Sequence, residues 1–219
     1  VPEPPPEVVA ACPLTSVERL LPEVANAHVR KGTDLFRPER PNSQGFDLTD
    51  AATLARIEAA RAVVAPDATP ILAGPIKGGA RRTVMNPATG DVVAQVTDAA
   101  REDVETALAA ARPWDADAAT RAAILNRAAD LYEGYFGTIF ALLAREAGKT
   151  LPDAVAELRE AVDFLRYYAA GATSLDRPAA GIFTCVSPWN FPLAIFTGQI
   201  AAALAAGNTV IFKPAPEAV

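Results

Sequence analysis

The chain has 219 residues, 51% of them hydrophobic, so it can bury the core of one large domain or of two small ones. A formal net charge of −6 with no basic cluster argues against a nucleic-acid-binding or membrane-binding surface. Its two cysteines lie far apart and no secretory or targeting segment is visible, so we expect a cytoplasmic protein without a disulfide framework. Small molecules and protein subunits are the expected partners.

Residues 1–41 are rich in Pro, Glu and Arg, which is typical of a linker. The apolar pattern of Val17, Leu20, Leu21 and Val24 allows one or two helical turns within it. Residues 42–219 are expected to form the domain itself. Since the chain starts without Met and ends just after a strand-like run, we expect both ends to be cut from a longer protein.

Helical spacing of apolar residues predicts a first helix from Asp50 to about Val64, capped by Thr49 or Asp50. Two β-rich segments flank the turn-forming sequence 86–90 and predict a hairpin over residues 82–96 that projects from the body. Four more helices are predicted: Glu102 to Arg112, Ala118 to about Tyr135, Thr138 to Glu146 and Pro152 to about Gly171. The last has Thr150 as its N-cap and Pro152 near its first position.

The last third of the chain has an α/β pattern. A short apolar strand from Gly181 to Val186 is followed by an apolar helix from Pro192 to Ala206 that ends at Gly207, and by a second strand from Thr209 to Phe212. This order predicts a βαβ unit over about residues 181–213 with parallel strands. The apolar run is interrupted by polar residues, so a buried helix and strand fit it better than a membrane span does. The predicted fold class is therefore α/β, with helices packed on the beginning of a parallel sheet.

The sequence Pro188-Trp189-Asn190-Phe191-Pro192 lies where the first of these strands ends and the helix begins. Open α/β sheets bind their ligands at the carboxyl ends of the strands. From the residue types alone, Asn190 can also be the N-cap of the helix, with Trp189 as core filler. The turn is thus a candidate site with a purely structural alternative.

This Pro-Trp-Asn-Phe-Pro sequence resembles the carbonyl-site signature of the aldehyde dehydrogenase superfamily. The resemblance implies that Asn190 is catalytic: its side-chain amide donates a hydrogen bond to the aldehyde oxygen as a cysteine thiolate adds to the carbonyl. Lys213-Pro214-Ala215 resembles the family's step that binds the adenosine ribose of NAD. The acidic partner here is Glu217, and Pro216 occupies a position where many members carry Glu. The implied cofactor-binding residues are Val186, Ser187, Pro188, Trp189, Lys213, Ala215 and Glu217.

The superfamily binds NAD on a variant sheet, so the missing Gly-x-Gly-x-x-Gly fingerprint is no objection. The fold that the resemblance implies is a truncated start of an aldehyde-dehydrogenase-type NAD-binding domain.

Longer stretches, residues 40–48, 145–150, 160–169 and 188–208, resemble the dehydrogenase half of the bifunctional proline utilisation A proteins. This implies oxidation of L-glutamate γ-semialdehyde to L-glutamate with NAD, in a homo-oligomeric protein. FAD belongs only to a proline dehydrogenase domain outside this chain, if one is present. The resemblance places Glu160 near the substrate pocket, whereas by residue type alone it is a solvated helix carboxylate.

Two other functions stay open. One is an aldehyde dehydrogenase with a different substrate, and the other is a non-catalytic assembly module whose hairpin pairs with a partner's sheet.

The resemblance also implies that the catalytic cysteine and the general-base glutamate lie beyond Val219. Cys185 is close to Asn190 in sequence but falls inside a predicted buried strand, where a thiol is an inert apolar filler with a raised pKa. His28 is the only histidine and has no cluster of potential ligands around it, so no metal site is expected.

Overall fold

The computed structural model describes residues 5–6, 12–20, 29–61, 67–72 and 74–219. The chain divides into two compact units, Val1–Lys31 and Gly32–Val219. The described part of the first unit contains helix α1, Pro13–Leu20. Leu21, Val24 and His28 lie outside the described residues.

The second unit begins with a 3-10 turn at Gly32–Asp34 and continues with helices and short strands. Its elements are α2 (Ala51–Ala60), β1 (Arg81–Met85), β2 (Val92–Thr97), α3 (Arg101–Ala110), α4 (Ala118–Gly134), α5 (Phe136–Glu146), α6 (Leu151–Ala172), β3 (Ile182–Val186), α7 (Ala194–Ala205) and β4 (Thr209–Lys213). Each predicted helix and strand is confirmed with ends that differ by at most two residues, except that the expected end of α2 at Val64 lies outside the described residues.

Helix α6 forms the centre of the core. The hydroxyl of Thr150 caps its N-terminus by accepting the Asp153 N–H at 3.4 Å, and Pro152 lies in its first turn. Its apolar residues recur every three or four positions and are buried against α4, α5 and α7. The buried apolar set on α6 is Ala154, Val155, Leu158, Ala161, Val162, Leu165, Ala169 and Ala172.

Strands β3 and β4 are neighbouring parallel strands, from the pair Ile182 and Thr209 to the pair Val186 and Lys213, as the βαβ pattern predicted. Helix α7 connects them, and Gly207, two residues after its end, terminates it with a φ of 79° and an N–H that donates to Leu204 O.

Asn208 then fixes the start of both strands. It is buried, and its Oδ1 accepts the N–H groups of Ala180 and Gly181 at 2.6 and 3.0 Å while its Nδ2 donates to Ala203 O at 3.1 Å. One side chain thus joins the end of α7 to the start of β3. In the described part of the chain, no helix is both long and apolar enough to cross a membrane.

Strands β1 and β2 form the predicted antiparallel hairpin. Its turn closes through Asn86 N–H to Asp91 O at 2.8 Å, with Gly90 at a φ of 76°. Ala68 pairs with the other edge of β2, exchanging hydrogen bonds of 2.9 Å with Gln95 and Thr97. Part of the edge that an assembly module would offer to a partner is therefore already occupied by the chain itself.

A second buried feature of α6 holds residues 40–44 against the helices. Arg166 donates to Asn42 O at 3.2 Å, to Asp130 at 3.0 Å and to both carboxylate oxygens of Glu133 at 3.2 and 2.8 Å. One turn earlier, Asp163 accepts the N–H and the hydroxyl of Ser43 at 2.9 and 2.8 Å, and Arg40 lies 3.3 Å from the same carboxylate. We call these residues the Arg166 network.

Candidate functional site

The parallel strands end side by side. Val186 and Lys213 are paired, and the Ser187 N–H donates to Lys213 O at 3.0 Å. The Ser187 side chain is buried, and its hydroxyl donates to Pro188 O at 3.0 Å, with Pro192 O at 3.3 Å. The turn after β3 therefore folds back on itself immediately beyond the carboxyl end of the sheet, where ligands of α/β folds bind.

Asn190 lies exposed in this turn, four residues before α7 begins at Ala194. The residue at the N-cap position is Leu193. The interpretation of Asn190 as the helix cap is therefore wrong. Trp189 is 63% exposed, so the interpretation of this side chain as core filler is wrong as well. Both side chains lie exposed at the turn.

The turn rests on a buried ion pair that the sequence patterns did not single out. Glu157 of α6 is 1% exposed; its Oε2 accepts the Leu193 N–H at 3.2 Å and its Oε1 lies 3.2 Å from Lys149 Nζ. The Lys149 ammonium lies 4.2 Å from the centroid of the Phe191 ring. Burial raises the pKa of Glu157, and the hydrogen bond and charge of Lys149 partly oppose that rise.

A sequence signal for Glu157 does exist. It lies three residues after Ala154 and four before Ala161, among the buried residues of α6, which are apolar apart from Glu157 and Arg166. A carboxylate at such a position has to find a partner inside the protein.

The predicted ribose-binding residues lie beyond the end of β4. Lys213 is exposed and its Nζ donates to Pro214 O at 3.1 Å, while Ala215 is buried and bridges to Ala218. Among the residues described, Lys213 and Glu217 are both exposed and form no ion pair with each other. The strand pairing thus places Lys213 beside Val186 and Ser187, whereas Glu217 lines a separate cavity.

Glu217 lines a cavity of about 370 Å³ between the hairpin and the end of the chain. Its lining also includes Glu146, whose carboxylate accepts the Val219 N–H at 2.9 Å. Burial raises the pKa of Glu146, opposed by that hydrogen bond and by the charge of Arg82. Arg82 in turn donates to Pro216 O, so the hairpin is tied to the segment that carries Glu217.

The remaining candidates are Cys185 and Glu160. Cys185 is 3% exposed, which confirms its predicted position in a buried strand, and burial raises the pKa of its thiol. Glu160 is exposed on α6. No group of three or more His, Cys, Asp or Glu residues that could hold a metal ion occurs within the described ranges. Chemically, the site offers an exposed neutral amide donor in the turn after β3 and an exposed lysine at the end of β4.

Comparisons with known proteins give one consistent result. A family model described as the aldehyde dehydrogenase family matches residues 76–219. The bifunctional protein PutA of Escherichia coli K12 is 44% identical over 228 aligned residues, and that of Rhizobium meliloti is 47% identical over 213. These alignments cover 95% and 92% of this chain. The chain spans only 17% of the length of either relative.

A solved structure adds the fold. The structure of 1-pyrroline-5-carboxylate dehydrogenase from Thermus with bound NAD superposes with a TM-score of 0.72 at 29% identity. The superposition covers 81% of this chain and 40% of that one. The α/β fold expected from the sequence, a partial domain with its hairpin and parallel strands, is thereby confirmed.

Proposed function

Because the chain belongs to the aldehyde dehydrogenase family, we propose that it supplies the carbonyl site and part of the NAD site of an L-glutamate γ-semialdehyde dehydrogenase. The reaction is the oxidation of the semialdehyde to L-glutamate with NAD as hydride acceptor. The names of the relatives support this substrate, and the NAD bound in the Thermus structure supports the cofactor. The observation that carries the proposal is the exposed Asn190 at the carboxyl end of the paired parallel strands.

Asn190 acts as the oxyanion donor. When a thiolate from another part of the full-length protein adds to the aldehyde carbonyl, negative charge grows on the oxygen. A fixed amide N–H aimed at that oxygen stabilises the transition state more than the ground state. A neutral amide can donate this hydrogen bond without placing a further charge beside the thiolate.

The residues present fit NAD in outline. We propose that the backbone of residues 186–189 contacts the nicotinamide side of the cofactor and that Lys213 and Glu217 hydrogen-bond the adenosine ribose. NAD rather than NADP suits a carboxylate at the ribose, since a 2′-phosphate would meet like charge there. Ala215, between these two residues in the chain, has a small side chain that is buried. Glu160 is the proposed contact to the substrate.

The wider organisation is proposed on the same basis. Residues 1–41 form the connector and residues 42–219 the N-terminal portion of the dehydrogenase domain, in a cytoplasmic homo-oligomer. The acidic net charge supports the absence of nucleic-acid partners. FAD belongs to a proline dehydrogenase domain outside this chain, if the full-length protein has one.

The test is Asn190→Ala in the full-length protein, assayed by NADH formation from glutamate semialdehyde. We expect kcat to fall roughly a hundred- to a thousandfold, the usual cost of removing one oxyanion donor, while the KM for NAD barely changes. Asn126→Ala is the matched control, since Asn126 is an exposed asparagine on α4. It should keep the activity of the wild type.

Asn190→Asp sharpens the test. A carboxylate has nearly the same shape but no hydrogen to donate, and it repels the developing negative charge. We expect a stable and inactive protein. Wild-type kcat in the Asp variant would overturn the oxyanion role, and higher kcat/KM for an unrelated aldehyde than for glutamate semialdehyde would overturn the proposed substrate.

A further inference from the structure

A buried ion pair lies directly beneath the turn that carries Asn190. Glu157 is almost fully inaccessible, and the Lys149 side chain is 14% exposed. Burying two charges costs free energy that their mutual attraction only partly restores. An apolar pair of the same size would suit the surrounding α6 face at least as well, so a buried charge here calls for a directional role.

The contacts of the pair show which part of the chain it holds in place. Glu157 accepts the backbone N–H of Leu193, the cap residue of α7, which has no side-chain cap of its own. Lys149 places its ammonium over the ring of Phe191. The pair therefore holds Phe191 and Leu193, which lie one and three positions after Asn190.

The other side of the turn is anchored separately. Ser187 bonds back to Pro188 O, and the Val186 N–H donates to Gln199 Oε1 at 3.0 Å. Asn190 thus lies between two anchors, one at the strand end and one at the ion pair. Removing the second anchor leaves Phe191 and the start of α7 free to shift relative to the strand.

We propose that Lys149 and Glu157 are positioning residues for the reaction, which aim the amide of Asn190 by fixing Phe191 and Leu193 from below. The inference rests on the proposed role of Asn190 as oxyanion donor. It adds two residues that never touch the substrate and that act only through the geometry of the turn. A displacement of about 1 Å in such a donor lowers turnover by up to about a hundredfold.

The test compares variants of the full-length protein. Lys149→Met combined with Glu157→Leu replaces the pair with apolar side chains, a change that often leaves stability equal or higher. We expect this double variant to fold and to lose roughly ten- to a hundredfold in kcat, with the KM for NAD little changed. Lys149→Arg, which keeps a cation beside Glu157 and Phe191, should recover most of kcat. Val162→Ala is the control for a purely structural role, because it removes a buried contact of α6 away from the turn.

The outcomes separate the two proposals. If Asn190→Ala keeps wild-type kcat, the proposed function fails by itself. If Asn190→Ala is slow but the double variant at positions 149 and 157 turns over like wild type, only the positioning role is overturned. When the double variant is combined with Asn190→Ala, the positioning role predicts almost no further loss of kcat, because both changes remove the same contribution. Fully multiplicative losses would overturn it.

Discussion

Helix α6 buries charge at two places, and the two are built differently. Near its start, Glu157 is paired with one lysine and one backbone N–H. Further along, Arg166 satisfies its guanidinium with two carboxylates and a carbonyl, and Asp163 beside it binds both polar groups of Ser43. The first cluster borders the exposed turn, whereas the second pins residues 40–44 to the helices.

The two buried charges differ in the number of their hydrogen-bond and ion-pair partners, and we expect their roles to differ accordingly. A charge with many fixed partners makes the local structure rigid and adds to stability only while the whole set is intact. The Lys149–Glu157 pair has few partners, and all of them lie in or next to the turn. We therefore expect changes in the Arg166 network to affect stability alone and changes in the pair to affect turnover.

The largest expected effect on stability comes from Arg166→Met. It removes the cation that Glu133 and Asp130 share and the donor to Asn42 O. We expect a loss of about 3–5 kcal/mol in the free energy of unfolding, measured by urea denaturation of the full-length protein.

The exposed Arg177 offers the matched control, since Arg177→Met should change stability by less than about 0.5 kcal/mol. The kcat of the folded Arg166 variant should stay at the wild-type value. A large fall in kcat with unchanged stability would contradict the division of roles between the two clusters.

A middle-sized effect should follow at Gly198 of α7, which packs against Phe164 of α6. A Cβ at this position would lie 2.9 Å from the Phe164 ring, closer than atoms tolerate. Gly198→Ala should therefore cost about 1–3 kcal/mol by overpacking.

Gly171→Ala on α6 is the counterpart, because a Cβ there meets nothing within 4 Å. Replacing this helical glycine should raise stability by about 0.5–1 kcal/mol. Thermal melts of both variants decide the point. The two stability changes need not be equal in size. Stabilisation by Gly198→Ala would show that α6 and α7 are packed less closely than the distances indicate.

Sequence patterns predicted the fold well where the signal was local. The spacing of apolar residues located α6, and an almost wholly apolar run ended by Gly207 located α7. The strand–helix–strand order predicted the parallel pair. These features depend on residues a few positions apart, which is the range over which propensity and capping act.

The candidate site was predicted less completely because its supports are not local. The capping rule placed Asn190 at the start of α7, but the N-terminus of that helix is capped by Glu157, which lies 36 residues earlier in the chain. Asp163 and Ser43 are 120 residues apart. No local sequence pattern predicts these contacts, because the packing of α6 against α4 and α7 determines which distant residues come into contact.

The smallest effect is expected at a third buried charge, which is held by backbone N–H groups. Asp103, near the start of α3, is buried and accepts backbone N–H groups of Lys77, Ala100 and Gly78 at 2.8, 2.8 and 3.0 Å. These hydrogen bonds, led by that of Lys77, lower the pKa of Asp103. Neither a cation in hydrogen-bond contact nor the candidate site is involved, so the carboxylate should contribute to stability alone.

The sign of its pH dependence follows from that lowered pKa. A carboxyl whose pKa is lower in the folded than in the unfolded state stabilises the fold above its ordinary pKa of about 4, and the contribution is lost as pH falls through the folded value. Asp103→Asn should therefore lower the melting temperature at pH 7, by less than Gly198→Ala does, because the amide oxygen still accepts one of the three N–H groups. The difference in melting temperature between this variant and wild type should shrink as the pH is lowered below about 4. Glu102→Gln, at the exposed neighbouring position, should show a smaller difference at pH 7. If the difference in melting temperature between Asp103→Asn and wild type stays constant from pH 7 down to pH 3, the three backbone contacts do not favour the ionised carboxylate.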